Sequence, residues 1–154
     1  MKPSNLGNYF EDFKKGDIIE HSLSKTIFES DNNLFCLLTM NHHPVHTNLQ
    51  YAEKNQHGKI LVVGTLVFSL AVGLTIPDIS GKAIANLKYE NIEQLTAVYI
   101  NDTIYARTKI LDVKSSQTKP DRGIIYVETI AYNQDNIDVL RFRRKVLIKR
   151  RNHE

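Results

Sequence analysis

Apolar and polar positions divide the chain into a mixed first half and a strand-rich second half. Residues 17–24 place Ile18, Ile19 and Leu23 in a short stretch that reads as an opening strand. Over residues 29–39, Leu34, Phe35, Leu37 and Leu38 recur at helical spacing, with Ser30 or Asp31 available as the N-cap. Pro44 stops a helix from running through the next stretch. Residues 48–56 read as a polar helix capped by Asn48 and closed by Gly58. Residues 60–74 then form a long apolar helix, ended by Gly73 and Pro77. Beyond it the period changes to that of strands. Residues 83–89, 102–113, 123–132 and 138–148 are rich in Ile, Val and Tyr, and Ile104, Ala106, Thr108 and Ile110 point to one face. Turn signals separate them: Asn101-Asp102, Pro120-Asp121-Arg122-Gly123 and Asn133-Gln134-Asp135-Asn136.

Helices followed by an antiparallel meander predict an α+β protein. A helix without charged residues beside a large sheet predicts that the sheet curls around it. Such a sheet keeps a free edge strand, which predicts a homodimer or a higher homo-oligomer sharing that edge.

Composition narrows the picture. A length of 154 residues suits one domain, 1–154, with a core of its own. The proportions, 42% hydrophobic and 24% charged, are those of an ordinary soluble globular protein. Cys36 is the only cysteine, which excludes an internal disulfide and fits a reducing compartment, the cytoplasm by default. The first residues, MKPSNLGNYFEDFKKGD, hold no apolar run of the secretory kind. Residues 60–76 are apolar apart from Gly, Thr and Ser, yet they fall short of the roughly 20 that a spanning helix needs, so no membrane association is expected. The net charge of +3 gathers in Arg141, Arg143, Arg144, Lys145, Lys149, Arg150 and Arg151. Without an aromatic-interleaved basic motif or a recognition helix, this cluster reads as a solvated strand face rather than a nucleic-acid site.

Three histidines, His42, His43 and His46, raise the question of a metal. Pro44 breaks the helix that would align His42 with His46, and no Glu lies between them, so no metal is expected. His21, His57 and His153 read as surface residues, and Cys36, within an apolar run, as core.

The stretch Phe35-Cys36-Leu37-Leu38-Thr39-Met40-Asn41-His42-His43-Pro44-Val45-His46, with Ala52 six residues on, resembles the signature of MaoC-like dehydratases and (R)-specific enoyl-CoA hydratases. Phe35, Thr39, Pro44, Val45, His46 and Ala52 stand where that signature asks; Met40 replaces its Gly, His43 its Asn, and Asn41 its catalytic Asp. Gly58 to Gly64 resembles the family's approach to its central helix, and Val98 to Ala106 its strand pair around a Gly-Asp-Thr turn, with Asn101 for Gly. Thr39-Met40-Asn41, Asn133-Gln134-Asp135 and Phe142-Arg143-Arg144 are similar to the branch that acts on mesaconyl-CoA and β-methylmalyl-CoA. The resemblance implies a hot-dog fold and a hydro-lyase that adds water to an α,β-unsaturated acyl-CoA. It implies no metal or redox cofactor, the coenzyme A thioester being the substrate.

Hydration of such a thioester requires water to be activated for attack on C3, a proton to reach C2, and donors for the enolate charge on the carbonyl. By position the resemblance gives these tasks to His46 as base, Asn41 in place of the acid, and the Gly64 amide as oxyanion donor. A helix start with free N–H groups suits the last role physically. An amide can orient water but cannot take its proton, so His46 becomes the sole base. Asn41 alone also fits a loop brace, and Gly64 a close-packed helix start. Two other functions share the fold: an acyl-CoA thioesterase, against which the absence of Asp and Glu from residues 60–76 counts, and a non-catalytic acyl-CoA or acyl-carrier binding protein.

Overall fold

A computed structural model describes residues 6–152. After a 3-10 turn at Phe10–Asp12 come strands β1 (Ile18–Glu20) and β2 (Lys25–Thr26), then helices α1 (Glu29–Thr39), α2 (Pro44–Thr47), α3 (Leu49–Glu53) and α4 (Gly64–Thr75). A π turn, Ile76–Ser80, leads into β3 (Ala83–Gln94), β4 (Thr103–Ser115), β5 (Arg122–Tyr132) and β6 (Asp138–Lys149). The six strands form one antiparallel sheet in the order β1-β4-β5-β6-β3, with β2 also paired to β4. The sheet curves against α4. This is the expected α+β, hot-dog arrangement.

Alternation along the strands decides which side faces the core. On β4, Ile104, Ala106, Thr108 and Ile110 are buried and their neighbours are not. Together with Val67, Ala71 and Leu74 of α4 and Leu140 and Phe142 of β6, Ile104 and Ala106 form the principal apolar cluster. A second cluster joins Ile110, Ile125, Val127, Val146 and Ile148 to Ile79 and to Phe10 and Phe13 of the N-terminal segment. Gly123 admits the Phe10 ring, since a Cβ there would collide with it.

Several boundaries differ from the sequence reading, each for a local reason. The apolar helix starts at Gly64 rather than at residue 60, because Leu61 bridges to Tyr99 and the Val62 N–H bonds the Val98 carbonyl at 2.9 Å. Those backbone partners hold the approach extended. Gly73 lies inside α4, which runs to Thr75, and Pro77 sits at the start of the π turn that follows, where its missing N–H is tolerated. Neither Ser30 nor Asp31 caps α1; both lie inside it, and Asp31 instead accepts the Phe28 N–H at 2.9 Å. Pro44 opens α2 as a first-turn residue. On α4 one stripe, Thr65, Ser69 and Gly73, continued by Ile76 of the π turn, is exposed, so the sheet wraps part of the helix and not all of it. Among the described residues no helix is long and apolar enough to cross a membrane.

Two polar groups read as superficial are interior. His21 is 7% exposed; its Nδ1 lies 2.6 Å from the Asp78 carboxylate and its Nε2 2.7 Å from the Thr108 hydroxyl. The Thr108 and Thr129 hydroxyls follow at 2.8 Å. An Nδ1–H donating to the carboxylate leaves Nε2 to accept from Thr108, which fastens the π turn to the sheet. Arg144, assigned to a solvated basic face, is 2% exposed. Its guanidinium donates to the Thr75 hydroxyl at 2.7 Å and lies 3.3 Å from that of Ser80, at the C-terminal end of α4. There the helix dipole offsets part of the buried charge, and burial holds the guanidinium pKa below its usual value. The remaining arginines of the basic cluster are met by acids: Arg141 by Glu93, Arg143 by Glu128, Arg150 by Glu11 and Arg151 by Asp12. Cys36 is buried, as expected, and burial pushes its thiol pKa up. His153 lies outside the described residues.

The Asp78–His21–Thr108 chain sets the first expectation. His21→Ala leaves a carboxylate without its partner beside a new cavity and should lower unfolding free energy by about 2 kcal/mol, within the range for a lost buried polar partner. Urea denaturation measures it; an unshifted midpoint would mean that the chain of hydrogen bonds does not hold the π turn.

Candidate active site

The loop after α1 is built from caps. Met40 ends the helix in the left-handed conformation, φ 62°, which explains why the signature has Gly at that position. Asn41 turns its side-chain oxygen back to the His43 N–H at 3.4 Å. His43 is the N-cap of α2, its Nδ1 accepting the Val45 N–H at 3.2 Å. One imidazole is thereby committed to holding the loop. His46 differs. It is half-buried in the last turn of α2, and its Nδ1 lies 2.6 Å from the Leu61 carbonyl. A carbonyl can only accept, so Nδ1 carries a proton, and in the neutral ring Nε2 is the atom with the lone pair.

Asn32 was not singled out by its sequence. It is 1% exposed on the inner side of α1, donates to the His46 carbonyl at 3.2 Å and accepts the Val63 N–H at 3.0 Å. A single amide therefore links α1, α2 and the lead-in to α4. The available signal was spacing, because Asn32 and Cys36, four apart, are the two buried residues of this helix.

His46 opens into a cavity of about 690 Å³ that is also lined by Asn32, Thr47, Lys59, Ile60 and Tyr99. Gly64 lines a separate, smaller cavity of about 210 Å³ with His57, Val67, Gln94 and Leu95. Asn41 lines neither. The three residues assigned by resemblance are thus not gathered around one space. The two cavities are nonetheless close along the chain: Asn32, in the wall of the larger, grips the amide next to Gly64. No side chain caps the start of α4, and the Gln94 amide donates to the Gly64 carbonyl at 3.0 Å. His57, read as a surface residue, is half-buried, with Nδ1 2.9 Å from the Tyr99 hydroxyl. Among the described residues no three His, Cys, Asp or Glu are placed to hold a metal ion.

Strand order, central helix and a histidine held at Nδ1 on the short helix α2 ahead of that helix define a hot-dog domain of the MaoC-like type. The solved structures agree. A putative MaoC domain protein dehydratase from Chloroflexus aurantiacus superposes with a TM-score of 0.92 at 31% identity, over 98% of this chain and 43% of that one. A Mycobacterium tuberculosis protein with a double hotdog fold superposes with a TM-score of 0.82 at 22% identity, over 94% of this chain and 44% of that one. A family model described as mesaconyl-CoA hydratase matches residues 2–153, and the chain belongs to that family. Among curated relatives, a β-methylmalyl-CoA dehydratase of Chloroflexus aurantiacus is 32% identical over 148 residues, 96% of this chain and 42% of the relative. The chain thus spans less than half the length of that relative.

Replacing Asn32 tests its linking role. Asn32→Leu fills the space but strands the Val63 N–H, and should cost about 1–3 kcal/mol of stability in urea denaturation. A variant as stable as the parent would show that the lead-in to α4 is held by other contacts.

Proposed function

We propose that the chain is a hydro-lyase unit that adds water to an α,β-unsaturated acyl-CoA, the double bond belonging to a dicarboxylic acyl group as in mesaconyl-CoA. One observation carries the reading: the Nδ1 of His46 is held by the Leu61 carbonyl, which makes Nε2 the basic atom of the neutral ring, beside a cavity of acyl dimensions. In the step proposed, Nε2 removes a proton from water as its oxygen bonds to C3. The alkene electron pair moves to C2 and the thioester oxygen, and the imidazolium returns the proton to C2. Atoms balance without a metal or redox cofactor, and the coenzyme A thioester is the substrate.

Asn41 acts through the loop that carries His46, as its bond to the His43 amide supports. The Gly64 amide, at an uncapped helix start, serves the thioester carbonyl when the ligand lies along the Leu61–Val63 wall and reaches both cavities. No carboxylate stands in α4, which favours hydration over thioester hydrolysis. A buried lone thiol suits the cytoplasm.

The functional unit we propose is a homodimer. Strand β3 is an open edge whose Ile84, Leu87, Tyr89 and Ile92 are exposed, an arrangement that favours pairing with a second strand. A dimer joined there would scatter light as twice 17.7 kDa, and Leu87→Lys should shift it toward the single-chain mass. A monomeric parent protein would refute this assembly.

Replacing the base gives the test of function. His46→Gln should lower hydration of mesaconyl-CoA, followed by loss of enoyl-thioester absorbance, by about 10²–10⁴-fold, with unchanged circular dichroism and negligible free-thiol release from either protein. Full turnover in the variant would remove His46 as base; steady thiol release by the parent would favour the thioesterase, and binding without turnover the non-catalytic protein.

A further inference from the structure

The reaction proposed places a negative charge beside the atom under attack. In any thioester of a but-2-enedioic acid the carbon β to the thioester, C3, also bears the free carboxylate. Water activated by His46 must therefore approach a carbon next to an anion, and the site has to neutralise that anion in place. The cavity that His46 opens into offers one other cationic side chain, Lys59.

Lys59 is preorganised for this task. Its ammonium sits 4.1 Å from the centre of the Tyr99 ring, a cation–π contact. The Tyr99 hydroxyl is in turn held by His57 at 2.9 Å. Two residues after Lys59 comes the carbonyl of Leu61 that fixes the His46 ring. The same short stretch of backbone thus carries the cation and orients the base. Glu29 is the carboxylate in the cavity wall, and among the described residues neither it nor any other acid forms an ion pair with Lys59. An ammonium held on an aromatic face but left without an acid is available to a ligand's anion.

Resting on the hydratase reading above, we propose that Lys59, supported by Tyr99, binds the free carboxylate of the acyl group and selects dicarboxylic over monocarboxylic substrates. Coenzyme A phosphates are the other anions a lysine could meet, and they are common to every thioester tested. Selectivity between acyl groups therefore separates the two sources.

The experiment compares the full chain with Lys59→Met and Lys59→Arg, using mesaconyl-CoA and crotonyl-CoA, which lacks the carboxylate. The ratio of kcat/KM for mesaconyl-CoA over crotonyl-CoA should fall by about 10- to 100-fold in Lys59→Met, the worth of one hydrogen bond to a charged group. Lys59→Arg should recover most of it. An unchanged ratio, or equal losses on both substrates, would overturn the proposal; the second would assign Lys59 to the phosphates. Binding of the unreactive pair succinyl-CoA and butyryl-CoA, by calorimetry, keeps this separate from the chemistry. If the parent hydrates neither alkene, the hydratase reading fails, while a preference for succinyl-CoA that Lys59→Met abolishes still supports the carboxylate site. No such preference in the parent overturns it.

Discussion

Between Gly58 and Gly64 the chain passes into the interior without a helix or a ladder to absorb its backbone polar groups, and each must find a partner elsewhere. The Leu61 N–H goes to the Val45 carbonyl at 3.2 Å and the Val62 N–H to that of Val98 at 2.9 Å. The Val63 N–H goes to the Asn32 side chain, and the Leu61 carbonyl to His46. Four neighbouring polar groups are thus satisfied by α1, α2 and the strand lead-in at Val98. The candidate base is one of those partners. Its orientation is a consequence of solving a backbone problem, so the site cannot be loosened without unsettling the start of α4.

The far end of α4 meets the same demand with different groups. Thr75 donates its hydroxyl to Val72 and receives the Arg144 guanidinium, and Asp78 is held by His21. Buried charge at a helix C-terminus is tolerable when it is cationic, and Arg144 is placed where the dipole favours it. The Arg144 Nε nevertheless has no hydrogen-bond partner, a cost the surrounding hydroxyls offset only in part. The central helix is therefore anchored at its start by amides and at its end by an arginine and a histidine, with apolar packing between.

What the sequence discloses follows from which interactions are periodic. The β4 face of Ile104, Ala106, Thr108 and Ile110, the cap at Asn48 and the buried Cys36 were all legible, because alternation and capping are local rules. Arg144 obeys the same alternation, in register with Leu140, Phe142, Val146 and Ile148, yet its charge argued for the surface and that reading was wrong. His21 and Asn32 were missed for another reason: their partners lie 57 and 31 residues away at Asp78 and Val63, distances that no local pattern reports. The start of α4 failed similarly, since a run of Ile, Leu and Val serves helix and extended chain equally until a partner such as Tyr99 chooses. In the site, the motif located His46, whereas the separation of Gly64 from it by a second cavity depends on the third dimension alone.

The partner of His46 also bears on the chemistry proposed for it. A carboxylate behind an imidazole would both fix its tautomer and stabilise the imidazolium formed on taking a proton. A backbone carbonyl does the first and contributes much less to the second. In the mechanism proposed, the imidazolium, little stabilised from behind, gives up its proton to the C2 carbanion made in the same step. A single residue that takes a proton from water and returns it to carbon needs that property. Asn41, which lines neither cavity, keeps its part in the loop, so the mechanism proposed has a single base, His46.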